Sequence, residues 1–187
     1  GSNASSASDY EQLTYGDGAG DNINVTSIRL RDGSTVALAY DKLNRLISRT
    51  TAGESVVTFG YNLLGQQTAV NRASDGVNVG YSYDALGRRI SETQPYGSVA
   101  WQYDAAGRAT RLTWGDGHYV VYDYDAAGQV TAIRENGATS GIGLLATYSY
   151  DGLGRRASVT YGNGTTRAYA WDAVSRLNGL KIDLADT

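Results

Sequence analysis

Seven times in 187 residues the chain repeats one phrase: an aromatic, an acid or amide, two further residues, a glycine or its substitute, and then arginine or glutamine. The clearest copies read YDALGRR from Tyr83, YDAAGRA from Tyr103, YDAAGQV from Tyr124 and YDGLGRR from Tyr150. Looser copies read YDKLNRL from Tyr40, YNLLGQQ from Tyr61 and WDAVSRL from Trp171. The openers lie 21, 22, 20, 21, 26 and 21 residues apart. A period of this length restricts the fold to an array in which each repeat is one small supersecondary unit that buries its surface against its neighbours.

The spacing inside the repeat identifies that unit. Two residues before each opener stand Leu38, Phe59, Tyr81, Trp101, Tyr122, Tyr148 and Tyr169, so 13 of these 14 paired positions are aromatic, out of 19 aromatics in the chain. A spacing of two puts both rings on one face of a strand. The residues between and beside them are small or polar, as in Ala37 and Ala39, Gly80 and Ser82, or Ala168 and Ala170. One heavy and one light face is the alternation of an antiparallel sheet with unlike sides.

The rest of the phrase is a turn. In Asp84-Ala85-Leu86-Gly87 the acid takes the first position of a type I turn, where its side chain accepts backbone N–H bonds, and glycine takes the last, where φ is positive. Such a loop, ending in a left-handed residue, joins two strands of a hairpin. Asp41, Asp104, Asp125, Asp151 and Asp172 repeat the acid, and Gly65, Gly107, Gly128 and Gly154 repeat the glycine. Asn44 is the next best left-handed residue, whereas Ser175 at the same angle costs about 1 kcal/mol, so the last copy is expected to be distorted. Arg45, Arg88, Arg108, Arg155 and Arg176 follow the turn, with Gln66 and Gln129 in the other two copies. A long donor here reaches back to the acid, to a carbonyl or to the flat face of the tyrosine.

A second turn lies midway between copies, at Asp32-Gly33, Asp75-Gly76, Asp116-Gly117, Asn136-Gly137 and Asn163-Gly164, with Gly53 and Gly97 in weaker versions. Asp-Gly and Asn-Gly between alternating runs are hairpin signals. Each period is therefore two strands and two turns, and seven periods predict about 14 strands. The expected fold is all-β: consecutive antiparallel hairpins forming one curled, solenoid-like sheet. The expected organisation is a cloning leader over 1–6, an irregular segment over 7–23, the array over 24–180 and a tail over 181–187.

Composition narrows the function. Lys plus Arg number 16 against 19 Asp plus Glu, which supplies no basic field for a nucleic acid partner. Of the basic residues only Lys42 and Lys181 are lysine, and arginine suits fixed two-point pairing with carboxylates. The absence of cysteine removes disulfides, thiolate nucleophiles and cysteine-held zinc. No run reaches the roughly 18 apolar residues of a membrane span.

Other candidate sites read as structure. Tyr15-Gly16-Asp17-Gly18-Ala19-Gly20-Asp21-Asn22 has the oxygen-rich look of a calcium loop, yet it repeats the Thr-aromatic-Gly string of Thr113 and Thr160 and so reads as a repeat turn. His118 reads as a solvated residue beside the Asp116-Gly117 turn. The many carboxylates are periodic turn acids, and neither a nucleophile motif nor a phosphate loop accompanies them. No catalytic, cofactor or metal residue is assigned. The 26-residue interval contains an insertion over 138–144, read as a longer hairpin tip.

The tyrosine-aspartate openers, the later glycine-arginine and the period near 21 resemble the YD-repeat, or Rhs-repeat, family, over about Asn24 to Leu180. That resemblance implies a spiralling β-sheet that builds a hollow shell. The shell encloses a C-terminal toxin in bacterial polymorphic toxins and insecticidal complexes, and related shells occur in animal cell-surface adhesion proteins. The chain then looks like a piece of shell wall. Its implied partners are the remaining shell and the toxin domain of a secreted or cell-surface parent, with self-association through open edge strands. The proline- and aspartate-rich closing motif of the bacterial shells is not among these residues, so neither self-cleavage nor a toxin is assigned to them. The alternative is a module binding carbohydrate or protein on its aromatic face, with Trp101, Trp114, Tyr122 and Tyr148 as the rings.

Overall fold

A computed structural model describes residues 10–16, 23–74 and 76–185. Asp75 and residues 1–6, the expected leader, lie outside these residues, as does all of the calcium-like loop beyond Gly16. The chain divides into two compact units, Gly1–Tyr96 and Gly97–Thr187. The first holds β1 (Gln12–Tyr15), β2 (Val25–Arg29), β3 (Thr35–Tyr40), β4 (Leu46–Thr51), β5 (Val57–Tyr61), β6 (Gln67–Arg72), β7 (Val77–Tyr83) and β8 (Arg89–Gln94). The second holds β9 (Gly97–Tyr103), β10 (Ala109–Trp114), β11 (Tyr119–Tyr124), β12 (Val130–Glu135), β13 (Leu144–Tyr150), β14 (Arg156–Tyr161), β15 (Thr166–Trp171) and β16 (Leu177–Asp183).

Strand order is chain order, without a crossover. Within each unit every strand pairs antiparallel with its chain neighbours, as the two turns per period require. The fold is all-β, and the described residues contain no α-helix, only a short 3-10 turn at Gly141–Gly143. Strands β3 to β16 are the fourteen that the seven periods predict. The further pair comes from the front of the chain: Gln12–Tyr15, in the segment expected to be irregular, pairs with Val25–Arg29 as β1 with β2. Thr14-Tyr15-Gly16 repeats a strand end and turn, and the Gly16 amide closes it onto Asn24 O at 2.9 Å. At the other end β16 runs to Asp183, beyond the expected start of the tail, because Arg167 and Thr166 continue to pair with Ile182 and Asp183.

The two faces differ as the alternation demands. On the light face Ala37, Ala39, Ser82, Ala100, Gln102 and Ser149 are exposed, whereas every opener and the residue two before it is half-buried. Heavy-face side chains oppose one another across strand pairs: Trp101 faces Leu112, Tyr122 faces Ile133, Tyr148 faces Val159 and Tyr169 faces Leu180. Among the described residues the buried apolar side chains are few, namely Val36, Val120, Ala146 and Val159. Val159, 1% exposed, contributes about 2 kcal/mol by its burial. So thin a core leaves the specification of the array to backbone pairing and to the turns.

Each phrase hairpin also carries a β-bulge that the sequence pattern does not announce. Tyr83 pairs with Arg89 but Ser82 pairs with Ser91, leaving Ile90 as the extra residue. Ile47, Thr68, Thr110, Thr131, Ala157 and Asn178 stand in the same place in the other six. One bulge per period adds local right-handed twist at a fixed point of every repeat.

Candidate functional site

The repeated turn is a constellation whose residues recur with constant geometry. In the Asp84 turn the Gly87 amide donates to Asp84 O at 3.0 Å and the Asp84 amide to Arg88 O at 3.0 Å, which closes the hairpin. Gly87 sits at φ 80°. Asp84 Oδ1 accepts the amides of Leu86 and Arg88 at 2.9 and 3.0 Å, and Oδ2 accepts Arg88 Nε at 2.7 Å. Asp41, Asp151 and Asp172 make the same three bonds. Repeat two achieves the clasp without charge: Asn62 Oδ1 accepts Leu64 and Gln66 amides, and Asn62 Nδ2 donates to Gln66 Oε1 at 2.8 Å.

The last copy is not distorted. Ser175 takes φ 64° with the turn intact, its amide donating to Asp172 O at 3.1 Å and Asp172 donating to Arg176 O at 2.9 Å. The Asp172 bonds over-determine the loop and hold serine at the left-handed angle despite its cost.

These bonds set the charge state of the turn acids. The Arg45 side chain, then its amide, hold the Asp41 carboxyl below its ordinary value. At Asp104 and Asp172 the backbone bonds from Arg108 and Arg176 lead the same lowering. At Asp84 and Asp151 desolvation is the largest single influence and pulls upward, yet the bonds from Arg88 or Arg155 and the turn amides together win.

The arginine also reaches forward. Arg45 Nη1 donates to Asn62 O of the next repeat at 3.1 Å, Arg108 Nη1 to Asp125 O at 3.3 Å and Arg155 Nη1 to Asp172 O at 3.1 Å. The glutamines do likewise, Gln66 Nε2 to Gly87 O at 2.9 Å and Gln129 Nε2 to Gly154 O at 2.6 Å. The Arg45 and Arg108 guanidiniums lie 4.7 and 4.6 Å from the ring centres of the next openers, Tyr61 and Tyr124. Tyrosine openers then bond backward. Tyr61 donates to Leu46 O at 2.9 Å, Tyr83 to Gln67 O at 2.7 Å, Tyr124 to Ala109 O at 2.7 Å and Tyr150 to Val130 O at 2.8 Å. Trp171 substitutes its indole Nε1, donating to Arg156 O at 2.8 Å. Arginine forward and tyrosine back form a reciprocal lock between successive hairpins. The Arg155 side chain inside this lock is 21% exposed, while Arg176, which among the described residues holds its own Asp172 alone, is 80% exposed.

Sequence reasoning found the turn and the reach to the acid, and missed that the carbonyl and ring belong to the following repeat. A signal existed in the constant 17-residue step from Arg45, Arg108 and Arg155 to their acceptors. The four proposed binding rings, Trp101, Trp114, Tyr122 and Tyr148, lie on the heavy face of the second unit; only Trp114 among them is exposed. An apolar-walled pocket lies instead among Tyr150, Arg155, Arg156, Tyr169, Trp171 and Leu177. His118 is exposed, with its amide on Asp116 Oδ1 at 3.0 Å and its ring Nδ1 3.3 Å from Asp116 Oδ2. Among the described residues no cluster of acids and histidine has the makings of a metal site.

The family described as RHS Repeat matches residues 40–77, 61–99, 103–140 and 124–166, which together cover more than half the chain. The chain belongs to the Rhs repeat family. Solved structures agree in fold. TcdB2-TccC3 without its hypervariable C-terminal region aligns over 93% of this chain and 10% of its own, with TM-score 0.65 and 18% identity. TcdB2-TccC3 itself gives 0.64 and 18%, over 93% of this chain and 11% of its own. A variant of the Photorhabdus luminescens Tc holotoxin pore gives 0.63 and 16%, over 93% and 10%. This chain thus spans about a tenth of the length of those structures. No curated protein matches it.

Proposed function

We propose that this Rhs repeat segment is a course of wall in a hollow shell that encloses a C-terminal toxin or effector domain of a longer secreted or cell-surface parent. The observation that carries the reading is the reciprocal lock. Arg45, Gln66, Arg108, Gln129 and Arg155 each tie their hairpin to the next, and the following opener ties it back. A polypeptide that spends its recurring side chains on joining neighbours is built for continuity. The residues that repeat most strictly are structural, and in this reading no reaction is assigned to the segment. Its partners are the remaining wall and the enclosed domain, and isolated segments associate through their edge strands, whose backbone groups are open to pairing. The kinship in fold with Tc toxin components supports the same reading.

The test is protease protection of the full-length parent. The C-terminal domain should resist cleavage while the wall is intact and become sensitive when Asp84→Ala weakens a turn. Equal cleavage rates in both proteins would refute enclosure. A second reading, binding on the aromatic face, is favoured by the pocket at Trp171.

A further inference from the structure

We propose that Asn136-Gly137 is a site of covalent self-modification, at which the Gly137 amide displaces the side-chain amide of Asn136 and leaves aspartate and isoaspartate in the turn. This inference does not rest on the shell reading. Asn-Gly pairs stand at 136, 163 and 178 in the sequence. Glycine favours such a ring closure, since no Cβ stands beside the attacking nitrogen.

The turns decide which pair reacts. Asn136 and Asn163 are both exposed, and Oδ1 of each accepts a backbone amide, from Tyr119 at 3.1 Å and from Thr165 at 3.0 Å. Those bonds fall on the oxygen that takes up negative charge when the side-chain carbon is attacked, so both carbonyls are polarised. The nucleophiles differ. The Gly164 amide donates to Tyr161 O at 2.9 Å, as Gly33 does to Leu30 O and Gly117 to Trp114 O in the Asp-Gly turns. At Asn136 both central residues are left-handed, at φ 47° and 75°, and the closing bond runs instead from Ala138 to Glu135 O at 2.9 Å. This two-residue loop leaves the Gly137 amide without a hydrogen-bond partner among the described residues. Gly179 is held opposite Ala170 in the β15–β16 ladder, so attack on Asn178 requires that pair to open. The Gly152 amide also lacks a partner, but its neighbour Asp151 is a carboxylate bonded to Arg155 and has no amide to expel.

The chemistry balances with water alone. Hydroxide takes the Gly137 amide proton and the nitrogen attacks Asn136 Cγ. The new C–N bond closes a succinimide ring, the Cγ–Nδ2 bond breaks, and ammonia leaves with a proton taken from water. Water then opens the ring, at Cγ to give aspartate or at the backbone carbonyl to give isoaspartate, so the net exchange is ammonia for water. Either product places a carboxylate beside Glu135. Isoaspartate also adds a carbon to the backbone of a two-residue loop whose Asn136 amide donates to Tyr119 O at 2.8 Å. A Cβ at position 137 would meet the Tyr119 hydroxyl at 3.1 Å, so the turn retains glycine and with it the reactive pair. The change falls where the chain enters the insertion over 138–144, away from the Asp-Arg clasps.

The test is timed incubation of the folded 187-residue chain in neutral buffer, followed by tryptic digestion and mass spectrometry. Cleavage after arginine and lysine puts the three pairs in separate peptides, 135–155, 157–167 and 177–181, each with a single asparagine. Conversion of amide to acid at Asn136 should run about tenfold faster than at Asn163 or Asn178, the factor expected from a nucleophile already free of its hydrogen bond. The rate should rise with pH, because the attacking nitrogen must lose its proton. A protein isoaspartate methyltransferase should methylate the 135–155 peptide first. In concentrated urea, where the turn bonds are gone, the three rates should converge. The proposal is overturned by equal rates at Asn136 and Asn163 in the folded chain, by Asn178 leading, or by the same spread of rates in urea.

Discussion

At one end of the strands of each unit, the turns that begin after Tyr40, Tyr61 and Tyr83 in the first and Tyr103, Tyr124, Tyr150 and Trp171 in the second share a left-handed residue in the same slot, the same closing bonds and the same bulge. At the other end the turns vary. Asp32-Gly33, Asp116-Gly117 and Asn163-Gly164 have only the glycine left-handed, and a side-chain oxygen caps the amide two residues on. Asn136-Gly137 has both residues left-handed, at φ 47° and 75°, and leads into the inserted residues. That insertion folds onto the neighbouring turn: Leu144 O and Ile142 O would lie 2.5 and 2.8 Å from a Cβ at Gly162, so only glycine fits there. Gln129 nevertheless still reaches Gly154 across the lengthened interval. In each unit one edge fixes the repeat and the opposite edge absorbs change.

That contrast can be broken at its strongest point first. Asp84→Ala removes three bonds at the fixed edge, whereas Asp116→Ala removes one amide cap and a loose contact with an exposed histidine. Thermal unfolding should show a steep fall in midpoint for Asp84→Ala and almost none for Asp116→Ala. Comparable falls would erase the distinction between the edges.

Gly107 lies at φ 83° with nothing near its absent side chain, so Gly107→Val should cost about 1–2 kcal/mol by backbone strain alone. Ala106→Val, one residue earlier at an exposed position, should be close to neutral, and equal denaturation midpoints would contradict the turn assignment. Tyr124→Phe deletes only the backward half of one lock and should cost about 1 kcal/mol in the same measurement.

The smallest effect separates two neighbouring turns of the fixed edge by pH. Bonds from Arg45 hold the Asp41 carboxyl below its unfolded value of about 3.9. Its contribution is therefore present above that value and lost as pH falls through the lower folded one. The Asn62 turn carries no such group. Hydrogen-exchange protection at the Leu43 and Arg45 amides should decline on acidification before that at Leu64 and Gln66. Simultaneous decline would show that the charged clasp has no separate role.

Much of the fixed edge is readable in the sequence, because its determinants are local. An acid four residues before an arginine, with glycine between, specifies a turn without knowledge of distant strands. The heavy and light faces are readable for the same reason, since a spacing of two is set by strand geometry. What joins the repeats is harder to see. Arg108 finds Asp125 O only after the intervening strands have paired in register. The bulge residues range from apolar Ile47 and Ile90 to polar Thr68 and Asn178, since a bulge is defined by its partner strand. Ser175 misleads in the opposite sense, because its local cost is outweighed by bonds that the Asp172 and Arg176 pattern already contained. The pocket at Trp171 is hidden in the sequence because that opener reads as a mere variant of tyrosine, whereas Trp101 and Trp114 stand out.

Insertion of two glycines tests the asymmetry of the edges most directly. Placed between Asp116 and Gly117, they should leave the unfolding midpoint of the chain nearly unchanged, as the natural insertion over 138–144 suggests. Placed between Ala105 and Ala106, they should separate Asp104 from Arg108, uncouple Arg108 from Asp125 and lower the midpoint sharply. Equal tolerance at the two sites, or greater damage at Asp116, would contradict the account.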